Sequence, residues 1–332
     1  MTESVLDAGS LRKILDLLAD GKFHSGEELG LLLGVSRAAV WKHLQKLERL
    51  GICLQSIKGK GYCIEGGLDL LDANKIASYR LSNIPLEINL FPEVDSTSSY
   101  LMRHDNPAMQ VCLAESQSAG RGRRGRQWIS PFAQNIYCSC GWGFEGGVAA
   151  LEGLSLVVGL VVTRVLKRHG ILGVQLKWPN DILYQAQKLA GILIEMRGDP
   201  AGYCEVVIGI GINVAMGAEN AQAITQAWID LRTILAQQGL APISRNLLVA
   251  ALIDELVSVL SIYEREGFAG YRSEWESLNA HAGQTVELHN GTLVHSGVCT
   301  GVTEMGALIL ETVHGREVFH GGELSLRCAH DS

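Results

Sequence analysis

The chain has 332 residues, 47% of them hydrophobic, and a formal net charge of −7 at pH 7. That length accommodates two or three domains, and that apolar content supports buried cores rather than wholesale disorder. The negative balance excludes a protein that coats nucleic acid over its whole surface, so any such contact must come from a local patch.

The first ten residues, MTESVLDAGS, have neither a basic n-region nor an apolar h-region, so no secretory leader is expected. Residues 10–66 read as a self-contained unit. SLRKILDLLAD places Leu11, Ile14, Leu15 and Leu18 on one helical face. SGEELGLLLG opens on Ser25 with Glu28 three residues on, a capping-box pattern, and stops at Gly34. SRAAVWKHLQKLERLG opens on Ser36 and stops at Gly51, with Val40, Leu44, Leu47 and Leu50 on one side. Only Gly34 and Val35 lie between these two helices, which is helix-turn-helix spacing. ICLQSI and YCIE, joined by KGKG, read as a hairpin wing. From Gly34 to Tyr62 six basic residues face one acid, Glu48. Ser36, Arg37, Lys42, Lys46, Lys58 and Lys60 are therefore the expected DNA contacts. The plainer alternative is a solvated face on a helical adaptor. Trp41 either packs under its helix or touches DNA.

Residues 67–85 read as a linker and a short helix, LDANKIASYRL, ending before Pro85. Beyond it LEINLF, QVCLAES, NIYCSCGW, VQLKW, KLAGILIEM and CEVVIGIGI read as strands. LEGLSLVVGLVVTRVLKRHG and RNLLVAALIDELVSVLSIYEREG read as helices, giving an enzyme-like α+β or α/β core. The longest apolar run, Leu154–Val162, falls far short of the roughly 20 residues that span a bilayer. The eight cysteines show no CxxC and no zinc spacing, and Cys138 and Cys140 share one strand face as small apolar side chains. A reducing, cytoplasmic compartment is expected. Near the C-terminus QTVELHN, TLVHSGVCTGV, ALILET and REVFHGGELSLR are short strands punctuated by glycine, as in a small antiparallel barrel.

One loop stands apart. GRGRRGRQW, residues 120–128, spaces Arg121, Arg123, Arg124 and Arg126 with glycines and ends in Trp128. Glycine lets backbone approach a ligand, and guanidinium forks suit carboxylate and phosphate. Such a loop fits a site that brings two anions together: a carboxylate attacking the α-phosphate of ATP needs cations against the repulsion, and the acyl adenylate formed needs shelter from water. An arginine-rich RNA-binding segment or a solvated basic loop are the alternatives.

KWPND (Lys177–Asp181), KLAGILIE (Lys188–Glu195), GIGINV (Gly209–Val214) and DSTSSY (residues 95–100) join that loop in a pattern that resembles the biotin protein ligases. With the winged helix in front, nearly the whole chain resembles the bifunctional kind, ligase and biotin-operon repressor in one protein. The resemblance implies an α+β multidomain fold: a winged helix-turn-helix over residues 1–66, a class II synthetase-like domain over 67–277 with a mixed sheet and helices on one side, and an SH3-like barrel over 278–332. It implies that Ser96, Thr97, Gln117, Gly120, Arg121, Lys188 and Gly191 line the biotin site, with Arg121 at the carboxylate end. Arg123 would retain the adenylate and Lys188 would stand between carboxylate and α-phosphate. Arg124, Arg126, Trp128, Asn213 and Trp228 would serve the nucleotide end, and Asp181 would contact either a metal ion or the incoming amine. Four features depart from the family pattern: a wing tip without proline, Ser98 and Ser99 where larger polar residues are common, Ser118 where a second glutamine is common, and GAENAQA after Met216 without a basic pair.

The implied activity is an ATP-dependent, AMP-forming ligation of biotin, through biotinyl-5'-AMP and with Mg2+, to a lysine of a biotin carboxyl carrier domain. The same adenylate would act as corepressor, favouring a homodimer on operator DNA of the biotin-synthesis genes. A biotin-sensing regulator with little transferase activity and a lipoate-type ligase are the rival readings.

Overall fold

The computed structural model describes residues 8–217, 224–290, 293–320 and 325–328. Three helices, α1 (Ala8–Leu18), α2 (Gly26–Leu33) and α3 (Arg37–Arg49), precede an antiparallel ribbon of β1 (Leu54–Ile57) and β2 (Gly61–Ile64). The serines cap as their spacing suggests. Ser25 Oγ accepts from Glu28 N at 3.0 Å and Ser36 Oγ from Ala39 N at 3.4 Å, satisfying donors that a helix start leaves free. The capping box is only half made. The Glu28 carboxylate turns instead to His24 Nδ1 at 2.9 Å, while Asp20 meets His24 Nε2 at 3.0 Å. Gly34, left-handed at φ +66°, ends α2. The apolar stripes of the three helices meet in one cluster, which Leu70 and Phe132 from further along the chain complete.

The central region runs α4 (Ala73–Tyr79), β3 (Glu87–Val94), α5 (Thr97–Arg103), β4 (Gln110–Gln117), β5 (Asn135–Phe144), α6 (Leu154–Arg168), β6 (Val174–Lys177), β7 (Asp181–Tyr184), β8 (Gln187–Gly198), β9 (Cys204–Asn213), α7 (Leu231–Gln238), α8 (Arg245–Glu266) and α9 (Arg272–Ser277). Its seven strands lie in the order β3-β4-β5-β9-β8-β7-β6, with β3 and β4 parallel and the other neighbours antiparallel. β7 is absent from the sequence reading: DILY is only four residues long and follows a Pro-Asn turn.

Strand alternation sets the two faces of this sheet. Val111 and Leu113 of β4, and Val206, Ile208, Ile210 and Ile212 of β9, join α6 and α8 in the main core. Cys112 and Val207 point the other way, against Leu101 of α5. The helices therefore do not all share one side, as the resemblance implied; the short α5 covers the opposite face. The apolar segments Gly147–Arg168 and Arg245–Glu266 are long enough to cross a membrane by length and composition, yet more than half of each is buried in this core. The Cys138 and Cys140 side chains are buried and free, and burial pushes the Cys140 thiol up to about 12.

A buried ion pair ties the sheet to its surroundings. Arg245 of α8 and Glu115 of β4 meet at 2.8 Å. Glu115 also accepts from Leu71 N at 2.6 Å, and Arg245 donates to Asn135 O at 2.9 Å. Arg12 of α1 donates to Leu71 O at 3.0 Å. Such a pair is tolerable only because its polar atoms are satisfied.

The C-terminal strands β10 (Thr285–Asn290), β11 (Leu293–Val302), β12 (Leu308–Thr312), β13 (Gly315–Phe319) and β14 (Ser325–Cys328) form an antiparallel sheet in the order β13-β12-β11-β10-β14. REVFHGGELSLR thus holds two strands, not one; residues 321–324 between them lie outside the described residues, as do residues 1–7 of the expected leaderless N-terminus.

Candidate active site

A cavity of about 850 Å³ opens on the α5 face of the central sheet, a size that suits a small ligand with a nucleotide. Its floor follows from the glycines of KLAGIL and GIGIN. In β9 the isoleucines take the core face, which leaves Gly209 and Gly211 to the cavity. Gly211 pairs directly with Gly191 of β8. A Cβ on Gly211 would stand 2.5 Å from the Trp128 ring, and one on Gly191 would stand 3.0 Å from it. Only glycine leaves room for that indole. A Cβ on Gly209 would likewise meet Ser98 Oγ at 2.5 Å.

The α5 end is a polar network. Ser96 caps α5, accepting from Ser99 N at 3.3 Å. Thr97 donates through N and Oγ1 to Gln117 Oε1 at 2.9 and 3.2 Å. Gln117 Nε2 donates onward to Ser130 Oγ at 2.9 Å. Ser139 donates to Thr97 Oγ1 at 2.8 Å and meets Ser98 Oγ at 3.0 Å. The small Ser98 has a physical reason: it is buried between Ser139 and a glycine, where a longer side chain has no space.

The arginine loop is a closed hairpin. Trp128 N donates to Gly120 O at 2.9 Å and Gly122 N to Arg126 O at 2.7 Å. At its tip Arg124 is left-handed at φ +59° and Gly125 at φ +70°. Gly120 borders the adjoining depression rather than the main cavity, and a Cβ there would collide with the Trp128 carbonyl. Arg121 Nη2 pairs with Glu195 of β8 at 2.5 Å. Arg123 Nη1 donates to Asn180 Oδ1 at 3.2 Å, and Arg124 Nη2 to His289 O of β10 at 3.4 Å. Arg126 is exposed at the cavity rim. Burial, and then the neighbouring Arg124, hold the Arg123 guanidinium below its ordinary pKa. That crowding of cations is an electrostatic cost that a bound anion would relieve.

Opposite the loop, Lys188 Nζ lies 2.6 Å from Asp181 Oδ1 and 5.5 Å from the centroid of the Trp128 ring. The Lys188–Asp181 contact is a close ion pair without hydrogen-bond alignment. Register places Asp181 beside Gly191. Asp181 is the single acid among the described lining residues. Asn213 is buried and donates to Lys188 O and Ile229 O, both at 3.2 Å, so it staples strand to strand. Trp228 lines the cavity and bridges to Lys188. Of GAENAQA, residues 218–223 lie outside the described residues. Among the described residues no three His, Cys, Asp or Glu side chains converge on a metal-sized point.

The second surface is the winged helix. Ser36, Arg37, Lys42, Lys58 and Lys60 are exposed and Lys46 is half-buried. The Arg49 side chain lies outside the described residues. Trp41 is 54% exposed, so it does not pack beneath α3. Lys60 Nζ stands 6.0 Å over the Phe23 ring.

Four residues whose side chains meet the cavity side chains went unread: Ser130, Ser139, Asn180 and Glu195. Asn180 had a signal, its place inside KWPND. Glu195 had the same kind of signal, as the last residue of KLAGILIE; Ser130 and Ser139 had none.

Residues 90–213 match the model of the Biotin/lipoate A/B protein ligase family, and residues 10–63 match an HTH domain. The bifunctional ligase/repressor BirA of Escherichia coli (strain K12) is 42% identical over 319 residues, 96% of this chain and 97% of that one. The biotin protein ligase from Aquifex aeolicus, solved in complex with biotin and ATP, superposes with a TM-score of 0.63 at 28% identity, covering 73% of this chain and 99% of that one.

Proposed function

This chain belongs to the bifunctional biotin ligase/repressor family, and from that premise we propose a two-step mechanism and a set of residue roles. The protein is an ATP-dependent biotin protein ligase that carries a repressor's helix-turn-helix. In the first step the biotin carboxylate oxygen attacks the α-phosphorus of ATP, and the bond to pyrophosphate breaks. In the second a carrier lysine nitrogen attacks the acyl carbon of biotinyl-5'-AMP, and the bond to AMP breaks.

One observation carries the residue roles. Two cations, Arg123 on the loop and Lys188 on the sheet, line a single cavity floored by paired glycines and lined by Trp128. They neutralise the approach of two anions, and the work is positioning and electrostatics. Ser96, Thr97 and Gln117 hold the biotin ring end. Trp128, Asn213 and Trp228 shape the nucleotide end. Asp181 holds Lys188 and orients the incoming amine. Mg2+ would arrive with ATP and would offset the charge of its phosphates. Residues 1–66 bind operator DNA, residues 67–277 carry the chemistry, and residues 278–332 form the SH3-like unit. The protein works in the cytoplasm as a homodimer assembled by biotinyl-5'-AMP, with no membrane partner.

Two assays test this. Purified protein with biotin, ATP and Mg2+ should add one biotinyl group to the acceptor lysine of a carrier domain, read by mass spectrometry; lipoate should not compete. Anisotropy of labelled DNA from upstream of biotin-synthesis genes should tighten only with biotin and ATP together. No transfer to the carrier sinks the ligase reading, and DNA binding indifferent to both substrates sinks the corepressor link.

A further inference from the structure

We propose that Asn180 is the positioning residue for Arg123, and that it sets how well the reactive adenylate is retained. The inference rests on the ligase reading above. Asn180 sits in the turn between β6 and β7, and that turn is pinned from several sides. Pro179 O accepts from Ser155 Oγ of α6 at 3.0 Å. The Trp178 indole donates to Gly306 O at 3.0 Å. Asn180 O accepts from Ile192 N of β8 at 3.0 Å.

The orientation of the amide follows from its partners. Asn180 Nδ2 donates to Ile192 O at 2.7 Å. With the nitrogen committed to β8, the oxygen must face the loop, where it accepts from Arg123 Nη1 at 3.2 Å. Arg123 therefore hangs from the sheet through a neutral acceptor, and no carboxylate pairs with it among the described ion pairs. This contrasts with Arg121, which Glu195 neutralises. A neutral acceptor aims the guanidinium without cancelling its charge; the Asp181 carboxylate also acts on it, but beyond ion-pair distance and while paired with Lys188, so the charge remains available to the phosphate of the intermediate.

The same geometry makes aspartate at this position worse than alanine. It would turn an acceptor towards Ile192 O, leaving that carbonyl without its donor, and it would quench the Arg123 charge.

The experiment compares biotinylation of a carrier domain with labelling of unrelated lysines on albumin, in the same tube, for the intact enzyme, Asn180→Ala, Asn180→Asp and Asn180→Ser. A leaked adenylate labels albumin, so the albumin-to-carrier ratio reports retention, whereas simple loss of folded enzyme lowers both. The ratio is expected to rise about tenfold in Asn180→Ala, the size of one hydrogen bond to a charged group. It should rise further in Asn180→Asp and less in Asn180→Ser. In an Arg123→Gly background the Asn180 substitutions should add nothing, because the residue they act through is gone. An unchanged ratio in an active Asn180 variant, or effects that add to Arg123→Gly, would overturn the proposal. Should Asn180→Ala not fold, Asn180→Ser decides on the same two readouts. Failure of the intact enzyme to label the carrier would instead break the ligase reading.

Discussion

Two loops in this molecule are built from glycine and cations, and they are used in opposite ways. KGKG at the wing tip presents Lys58 and Lys60 to solvent, and Lys60 Nζ stands 6.0 Å over the Phe23 ring. GRGRRGR over the cavity ties Arg121, Arg123 and Arg124 to named partners on β8, the β6–β7 turn and β10. Lysine is a mobile point charge, and a phosphate backbone offers many equivalent anions. Arginine is a rigid fork, worth fixing only where one anion must be met in one geometry. The difference between the loops is thus a difference between attracting charge and aiming it.

Exchanging the cations would break that contrast most severely in the cavity. Arg123→Lys keeps the charge but loses the fork and the reach to both Asn180 and a phosphate. It should behave like Arg123→Gly, releasing adenylate and raising albumin labelling over carrier labelling by about 10- to 100-fold. A lysine variant that retains the adenylate as well as arginine does would show that charge alone suffices there, and the comparison would collapse.

Much of this contrast can be read from residues in sequence, and the unread part is tertiary. The Ile/Gly alternation of GIGIN dictates a strand with one apolar face and one bare face, but only the strand was read from it; that the bare face floors a cavity follows from the pairing of Gly211 with Gly191. Helix starts at Ser25 and Ser36 were legible because caps are local. The second half of the capping box was not, since Glu28 prefers a histidine that only the fold brings beside it. β7 escaped because four residues after a turn carry too little pattern. Asn180 was visible only as a member of KWPND: its side chain acts on a residue 57 positions away, and no local pattern encodes that partner. The Arg245–Glu115 pair and the seat of Phe132 in the winged-helix core are of the same kind.

At the wing the expected effects are smaller and insensitive to cation type. Lys58→Ala and Lys60→Ala should each weaken operator and unrelated DNA alike, and each should lower the slope of log affinity against log salt by about 1. Lys58→Arg and Lys60→Arg should leave both nearly unchanged, and ligation of the carrier should be unaffected throughout. Anisotropy titrations at several salt concentrations measure this. A wing substitution that changes preference between sequences rather than overall affinity would mean that the wing reads bases, and both loops would then aim their charge.

The smallest effect concerns pH, and it separates the loops once more. His24 joins the wing through its backbone, exchanging hydrogen bonds with Tyr62 at 2.9 Å in both directions. Burial disfavours its imidazolium, but the hydrogen bonds to Glu28 and Asp20 outweigh that and raise its pKa. Asp20, held low by the Lys22 backbone amide and by His24, stays charged near neutrality. A raised folded pKa means that the folded state binds the proton more tightly than the unfolded chain. The stabilisation is then complete below the ordinary histidine value of about 6.5 and disappears as pH climbs through the raised one. The melting temperature of the intact protein should exceed that of His24→Gln by an amount that is largest near pH 6 and shrinks by pH 8, of order 2 °C for a chain of this size. A difference that is flat with pH, or that grows as pH rises, would show that the imidazolium is not what holds the wing's base. GRGRRGRQW holds no histidine, so of the two loops it is the wing whose base answers to pH near neutrality.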